Sequence, residues 1–139
     1  MQSEISEEVI QLSRPQAIVA QSRSRFRVLV AGRRTGKSFL SRFILYQRAR
    51  SNAQNVCWYV APTYRMARQI MWRDLKNHVP PHEVQKKDET DLRIELVNGS
   101  IIALRGADNP DSLRGVGLDF LVIDEVQDVN PETWSAVLR

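Results

Sequence analysis

The chain has 139 residues, of which 42% are hydrophobic and 26% charged, proportions typical of one folded domain with a core of ordinary size. It has no apolar run near 18 residues, its first residues are unlike a signal peptide, and it has one cysteine, so we expect a cytoplasmic protein without a membrane span. The formal net charge is +4, but residues 1–50 carry ten basic and three acidic side chains, whereas residues 51–139 carry ten and thirteen.

The first predicted element is a helix in which Ile5, Val9 and Leu12 recur at helical spacing, and Pro15 indicates a new helix start. Gln16 follows, twenty residues before Gly36. Two roles fit this glutamine equally well from spacing alone. Its amide has the geometry to bind the N6 and N7 edge of adenine, or it is an ordinary surface residue on a helix.

The next element is a β-branched run over residues 28–30 that stops at a glycine-containing turn, after which Lys37 and Ser38 open a helix. This strand–loop–helix order predicts a phosphate-binding P-loop, in which backbone N–H groups and the positive end of the helix cradle phosphate oxygens. Lys37 would reach the β- and γ-phosphates, and the Ser38 hydroxyl would hold Mg²⁺. The usual first glycine is replaced by Ala31. The predicted nucleotide-binding loop comprises Ala31, Gly32, Arg33, Arg34, Thr35, Gly36, Lys37 and Ser38.

The middle of the chain predicts alternating helices and strands. An amphipathic helix should run to about Arg50, and the apolar residues 56–61 should form a buried strand. Thr63 should cap a further helix that ends before Pro80. Asn98 and Gly99 lie between two alternating apolar runs, which is the strongest local signal for a β-hairpin. This order predicts an α/β fold with a parallel core and an antiparallel addition.

The last predicted strand is the apolar run 120–123, which reads as a strand buried on both faces and is followed by Asp124 and Glu125. Open α/β sheets bind ligands at the carboxyl ends of their strands, where these two acids would lie. Asp124 would orient the waters of Mg²⁺ bound by Ser38, and Glu125 would polarise the water that attacks the γ-phosphate. With Lys37, these residues predict an ATPase that uses ATP and Mg²⁺.

Positive charge is concentrated around the loop, where Arg23, Arg25 and Arg27 precede Arg33 and Arg34. Part of this charge would balance the triphosphate. The rest fits a surface that faces DNA as well as it fits a solvated face.

From Gln16 to the last residue, these motifs resemble the N-terminal ATPase part of the large terminase subunit of tailed bacteriophages, the motor that packs DNA into the procapsid. The resemblance is carried by the dibasic loop and by residues 59–64, 105–108, 112–115 and 121–125. It implies a P-loop NTPase fold of the RecA-like (ASCE) class, with a parallel sheet, flanking helices and an added β-hairpin. It also implies that Gln16 reads adenine and that Arg33 or Arg34 is an arginine finger acting in cis.

The resemblance further implies what the protein works with. ATP turnover would drive double-stranded DNA into the procapsid, in the cytoplasm of the bacterial host. The implied partners are double-stranded DNA, the small terminase subunit and the portal protein, and the chain is a possible homo-oligomer.

By the same resemblance, residues 1–139 are the N-terminal portion of a terminase-like ATPase domain, incomplete at its C-terminus. We expect these residues to lack the family's nuclease domain and also the strand that lies between the P-loop strand and the strand before Asp124. We therefore expect the isolated chain to be marginally stable, to self-associate, or to pair those two strands directly.

Two other interpretations are open. Residues 124–128 resemble a motif of superfamily 1 DNA helicases, although the dibasic loop and the short interval from Lys37 to Asp124 argue against that class. The chain could instead be an inactive prophage remnant that only binds nucleotide. The intact Lys37, Ser38, Asp124 and Glu125 argue against a remnant.

Overall fold

A computed structural model describes residues 14–23, 36–125, 128–129 and 131–132. The predicted helix around residues 5–12, the predicted strand over residues 28–30 and the loop residues Ala31 to Thr35 lie outside the described residues. The described helices are α1 (Arg14–Gln21), α2 (Lys37–Ser51), α3 (Tyr64–Ala67) and α4 (Arg73–His78), with a π-helical turn, Arg68–Trp72, joining the last two. The described strands are β1 (Val56–Ala61), β2 (Val84–Asp88), β3 (Arg93–Leu96), β4 (Ile101–Gly106) and β5 (Phe120–Ile123).

The strands form one mixed sheet in the order β2-β3-β4-β1-β5. β1 pairs in parallel with β4 and with β5, whereas β3 is antiparallel to both β2 and β4. Four of the five described strands therefore run in one direction, and the predicted hairpin is β3–β4. This arrangement confirms the prediction of a parallel core with an antiparallel addition.

Strand β1 lies between β4 and β5 and separates two hydrophobic clusters because its side chains alternate across the sheet. Cys57, Tyr59 and Ala61 pack with residues of α2, α3 and α4 on one face. Trp58 and Val60 pack on the other face. All five side chains are buried, as expected for a strand with neighbours on both sides and packed residues on both faces.

Strand β5 begins and ends where the sequence predicts, but its four residues are only half-buried. The expectation of full burial on both faces is therefore wrong for the described structure. The physical reason is that, within the described residues, β5 has β1 on one side and no strand on the other. The predicted strand over residues 28–30 lies outside the described residues, so its pairing with β5 stays a prediction.

The hairpin turn holds the C-terminal end of α2. The Asn98 side-chain amide donates to the carbonyls of Ala49 at 2.9 Å and Arg50 at 3.3 Å, and the Ser100 hydroxyl donates to the Asn52 carbonyl at 2.7 Å. These bonds satisfy carbonyl groups that have no partner inside a helix. They fix the end of α2 beside the start of β4.

A close approach between backbones requires a glycine at the end of β4. A Cβ built on Gly106 would lie 2.7 Å from the Tyr64 Cα and inside contact distance of the Tyr64 backbone nitrogen. We expect Gly106→Ala to reduce the free energy of unfolding by roughly 3 kcal/mol, because backbone on both sides must shift. Gly117→Ala is the matched control, since its Cβ would meet nothing within 4 Å. Equal denaturant midpoints for the two variants in urea unfolding would contradict the expectation.

Candidate functional site

Three parallel strands end at one edge of the sheet, which we call the carboxyl edge. β1 ends at Ala61, β4 at Gly106 and β5 at Ile123. The segments that follow are tied together there, because the Ala107 N–H donates to the Ala61 carbonyl at 2.8 Å and Asp108 accepts from the Tyr64 N–H at 3.3 Å. Open α/β sheets place their ligands at this edge. The segments before α3 and after β4, singled out in the sequence, therefore stabilise the edge that carries Asp124.

The phosphate-loop motif ends where the sequence predicts, at the first turn of α2. Gly36 has a φ of 79° and caps the helix without a side-chain hydrogen bond. A positive φ of this size suits glycine because it has no Cβ. Lys37 and Ser38 are the first two residues of the helix, and both are half-buried. Lys37 and Ser38 therefore lie at a helix N-terminus, where backbone N–H groups favour an anion.

The direction of α2 follows from its contacts. Its C-terminal end is bonded to the turn before β4, and the Arg48 guanidinium lies 5.3 Å from the ring of Phe120, the first residue of β5. Because these contacts lie at the starts of the parallel strands, α2 runs antiparallel to the strands. Its first turn, with Lys37 and Ser38, therefore faces the carboxyl edge.

Gln16 contacts Gly36, at the end of the predicted phosphate-binding loop, although the two residues are twenty positions apart in sequence. Its side-chain Nε2 donates to the Gly36 carbonyl at 3.2 Å, and the same carbonyl accepts from the Leu40 N–H at 2.9 Å. The structure thus holds Gln16 against Gly36 through a hydrogen bond from its side-chain amide to the backbone carbonyl. Its predicted role as the adenine reader stays a prediction.

Asp124 is held by hydrogen bonds to both of its carboxylate oxygens. Oδ2 accepts from the Tyr59 hydroxyl at 2.6 Å, and Oδ1 accepts from the Glu125 backbone N–H at 2.9 Å. Tyr59 belongs to the hydrophobic cluster that α2 covers, so the carboxylate lies on the same face of the sheet as α2. The first turn of α2 and Asp124 thus share one face and one edge.

Tyr59 is a site residue that the sequence did not reveal, because it lies inside an apolar run and its partner is 65 residues away. Burial raises the pKa of the Tyr59 hydroxyl far above its ordinary value, and the hydrogen bond to Asp124 and the charges of Asp124 and Glu125 raise it further. The phenol therefore stays protonated and acts as a donor. The one available signal was position: Tyr59 is two residues before the end of β1 and on the face that α2 covers.

Glu125 has an unusual backbone. Its φ is 51°, in the left-handed region that side chains other than glycine rarely adopt, and its carbonyl accepts from the Asp128 N–H at 2.9 Å. Such conformations cost of order 1 kcal/mol and are concentrated at functional sites. The turn at Glu125 begins immediately after the clamped Asp124.

A basic surface lies on the outer side of α3, the π-helical turn and α4. Arg65, Arg68, Arg73 and Lys76 line one open groove, which we call the basic groove. The three arginines are exposed, whereas Lys76 forms a 3.1 Å ion pair with Glu89.

No described helix is both long and apolar enough to cross a membrane.

Of the predicted site residues, the structure describes six, in two groups. One group surrounds the start of α2 and the other follows β5, on the same face and at the same edge of the sheet. The described residues are Gln16, Gly36, Lys37, Ser38, Asp124 and Glu125. Those outside the described residues are Ala31, Gly32, Arg33, Arg34 and Thr35.

Comparison with known proteins gives a consistent result. The family model described as phage terminase large subunit matches residues 23–139. Curated proteins named as large terminase subunits match from Escherichia phage T5, at 32% identity over 121 residues, and from Thermus virus P23-45, at 30% identity over 147 residues. These matches cover 84% and 89% of this chain but 27% and 30% of the relatives, so the chain spans less than a third of their length.

A solved structure is also similar. The large terminase ATPase domain of Thermus phage P74-26 matches with a TM-score of 0.80 and 27% sequence identity. The match covers 92% of this chain and 59% of that domain. The predicted α/β architecture is thereby confirmed.

Proposed function

The chain belongs to the phage terminase large-subunit family, and from that premise we propose that residues 1–139 form the N-terminal portion of an ATPase domain that hydrolyses Mg-ATP. One observation carries the proposal. The start of α2, with Lys37 and Ser38, faces the carboxyl edge, where Asp124 and Glu125 follow β5. It also lies on the same face of the sheet as Asp124.

The residues at the start of α2 would bind the phosphates. The N–H groups of the first helical turn lack intrahelical partners and point towards an anion, and the helix dipole favours negative charge there. Lys37 would add a full positive charge at the β- and γ-phosphates. We propose that Ala31, Gly32, Arg33, Arg34 and Thr35 complete the loop and that Arg33 or Arg34 stabilises the charge on the γ-phosphate. Gln16, already against the loop, would hold adenine.

The residues present fit Mg²⁺. Magnesium prefers oxygen ligands and is usually bound through one or two carboxylates together with phosphates and waters. The Ser38 hydroxyl and the Asp124 carboxylate are oxygen donors of this kind, and each Asp124 oxygen keeps capacity beyond the one hydrogen bond described. When bound, the ion would neutralise charge on the β- and γ-phosphates.

Glu125 would act on the attacking water. The residue is half-buried and directly follows Asp124, so both acids lie at the carboxyl edge. We propose that Glu125 accepts a proton from the water as that water attacks the γ-phosphate.

Family membership also supports a role in genome packaging. We propose that ATP hydrolysis drives double-stranded DNA into the procapsid, in the host cytoplasm, together with the small terminase subunit and the portal protein. A direct test compares ATP turnover with and without double-stranded DNA ends. Stimulation by ends without strand separation supports the proposal, whereas unwinding of the duplex would favour a helicase.

The basic groove is a described surface whose exposed arginines fit duplex DNA. We expect replacement of both Arg68 and Arg73 by alanine to weaken binding to duplex DNA and to make its salt dependence shallower by about two, because each phosphate contact contributes a slope of roughly 0.9. Filter or anisotropy titrations over a range of NaCl concentrations measure this slope. Lys86→Ala with Lys87→Ala is the matched control, since both lysines are exposed on β2. Equal changes in the two double variants would exclude the basic groove as the contact surface.

A further inference from the structure

We propose that Tyr59 is a positioning residue for nucleotide-bound Mg²⁺, acting through its hydrogen bond to Asp124. This inference rests on the proposed function, because it assigns Tyr59 a part in the same magnesium site. Tyr59 itself would touch neither the ion nor the nucleotide. Its role would be to fix the direction of the carboxylate that holds the waters of the ion.

The geometry supports a clamp on Asp124. The Tyr59 hydroxyl and the Glu125 N–H approach different oxygens of the carboxylate, at 2.6 Å and 2.9 Å. The Asp124 backbone is also fixed, because its N–H donates to the Val60 carbonyl at 2.9 Å. With the backbone and both oxygens held, the carboxylate cannot rotate without breaking a hydrogen bond. The group is therefore oriented before any ligand arrives.

Burial makes the Tyr59 hydroxyl an effective anchor. The Tyr59 side chain is fully buried in β1, whose neighbours β4 and β5 fix its backbone on both sides. A hydrogen bond to a charged group is about twice as strong as one between neutral groups. Groups that orient a metal ligand in this way commonly contribute about 10- to 100-fold to metal affinity or activity.

Tyr46 provides a matched comparison. Its hydroxyl also donates to a carboxylate, that of Glu83, and its ring packs against the same hydrophobic cluster as Tyr59. Burial and Glu83 raise the pKa of Tyr46 above its ordinary value, so this phenol is a protonated donor as well. Glu83 lies before β2 and forms a 3.5 Å ion pair with Arg50, at the end of α2 opposite Lys37. Tyr46→Phe thus removes the same kind of bond away from the proposed site.

The test measures the affinity for ADP by calorimetry with excess Mg²⁺ and with EDTA, in the wild-type chain, Tyr59→Phe and Tyr46→Phe. The ratio of the two affinities is the magnesium-dependent gain. We expect Tyr59→Phe to reduce this gain roughly 10- to 100-fold and to leave the affinity in EDTA unchanged. Tyr46→Phe should keep the wild-type gain. In an Asp124→Asn background, Tyr59→Phe should cause no further loss.

Two results would overturn the proposal while leaving the proposed function intact. One is an unchanged magnesium-dependent gain in Tyr59→Phe. The other is an equal loss of affinity with and without Mg²⁺, which would mean that Tyr59 only supports the fold. A wild-type chain that binds no nucleotide under either condition would instead refute the proposed function, and the role of Tyr59 with it.

A measurement on the unaltered chain covers the case in which Tyr59→Phe does not fold. The chain has three tyrosines, so ring-labelled tyrosine gives few resonances, and Tyr46→Phe together with Tyr64→Phe assigns all three. Adding Mg²⁺ to the ADP-bound protein should shift the Tyr59 resonance and leave that of Tyr46 in place. A Tyr59 resonance that does not respond would contradict the proposal.

Discussion

Glu125→Gln is expected to slow ATP hydrolysis by roughly 100- to 10,000-fold, the contribution usual for a positioned general base, and to leave the affinity for Mg-ATP nearly unchanged. Glutamine has the size and the hydrogen-bonding reach of glutamate, but its amide does not accept the proton of the attacking water. The variant also keeps a backbone N–H, so the bond from residue 125 to Asp124 is preserved. Single-turnover phosphate release measures the chemical step, and nucleotide titration measures binding.

Glu95→Gln is the control for this loss of one negative charge. Glu95 lies on β3, three positions from β5 in the order of the sheet, and pairs with Arg93 at 3.4 Å. We expect its turnover to match that of the wild type. Wild-type turnover in Glu125→Gln would remove Glu125 from the proposed role, and equal losses in both variants would indicate a general effect of charge.

Lys37→Ala is expected to abolish stabilisation by nucleotide. At a hundredfold excess over the dissociation constant, Mg²⁺ with a non-hydrolysable ATP analogue should stabilise the wild-type chain by roughly 2.7 kcal/mol. For a chain of this length, that corresponds to a rise in Tm of several degrees. The alanine variant loses the charge that we propose contacts the β- and γ-phosphates, so its Tm should not rise when the analogue is added. Thermal unfolding with and without the analogue measures both shifts.

Lys86→Ala controls for removal of a lysine elsewhere. Lys86 is exposed on β2, the outermost described strand on the side of the sheet away from β5. Its variant should show the same rise in Tm as the wild type. A full shift in Lys37→Ala would contradict the assignment of the phosphate-binding lysine. A wild-type chain that shows no shift would contradict the nucleotide site as a whole.

The elements that the sequence predicted well are those with strong local signals. β1 occupies the predicted residues 56–61 because a continuous apolar run suits a strand with neighbours on both sides. The hairpin turns at Asn98 and Gly99, where Gly99 has a φ of 86°. Thr63 caps the N-terminus of α3, as its position before a helical pattern indicated. Its hydroxyl oxygen accepts from the Met66 N–H at 3.1 Å.

The features that the sequence did not reveal depend on contacts between distant residues. β2 contains Lys86 and Lys87 and has no apolar alternation, so only its pairing with β3 makes it a strand. Arg42 lies in the predicted amphipathic helix, yet it is buried against the Phe39 ring at 4.8 Å, with Nη1 2.9 Å from the His78 Nδ1. A local pattern does not specify which charged side chain finds such partners.

The candidate site likewise combines residues with a local sequence signal and residues whose role depends on contacts between distant parts of the chain. Lys37, Asp124 and Glu125 were predicted because their motifs are short and contiguous. Tyr59 was not, since its polar atom matters only when β1 and β5 are paired in the observed register, which places Tyr59 beside Val122. Gln16 is intermediate: its distance along the chain suggested a role near the loop, and folding was needed to show that it contacts the Gly36 carbonyl.

The hydrogen bonds from Asn98 fix the C-terminal end of α2, whereas the candidate site lies at its N-terminal end. A small tilt of the helix about its fixed end therefore displaces Lys37. A helix of 15 residues is about 22 Å long, so a tilt of about 5° about its C-terminal end displaces the N-terminal end by about 2 Å. Displacements of about 1 Å can cost an enzyme a hundredfold in rate. The position of Lys37, the proposed phosphate-binding lysine, therefore depends partly on a side-chain amide at the opposite end of α2.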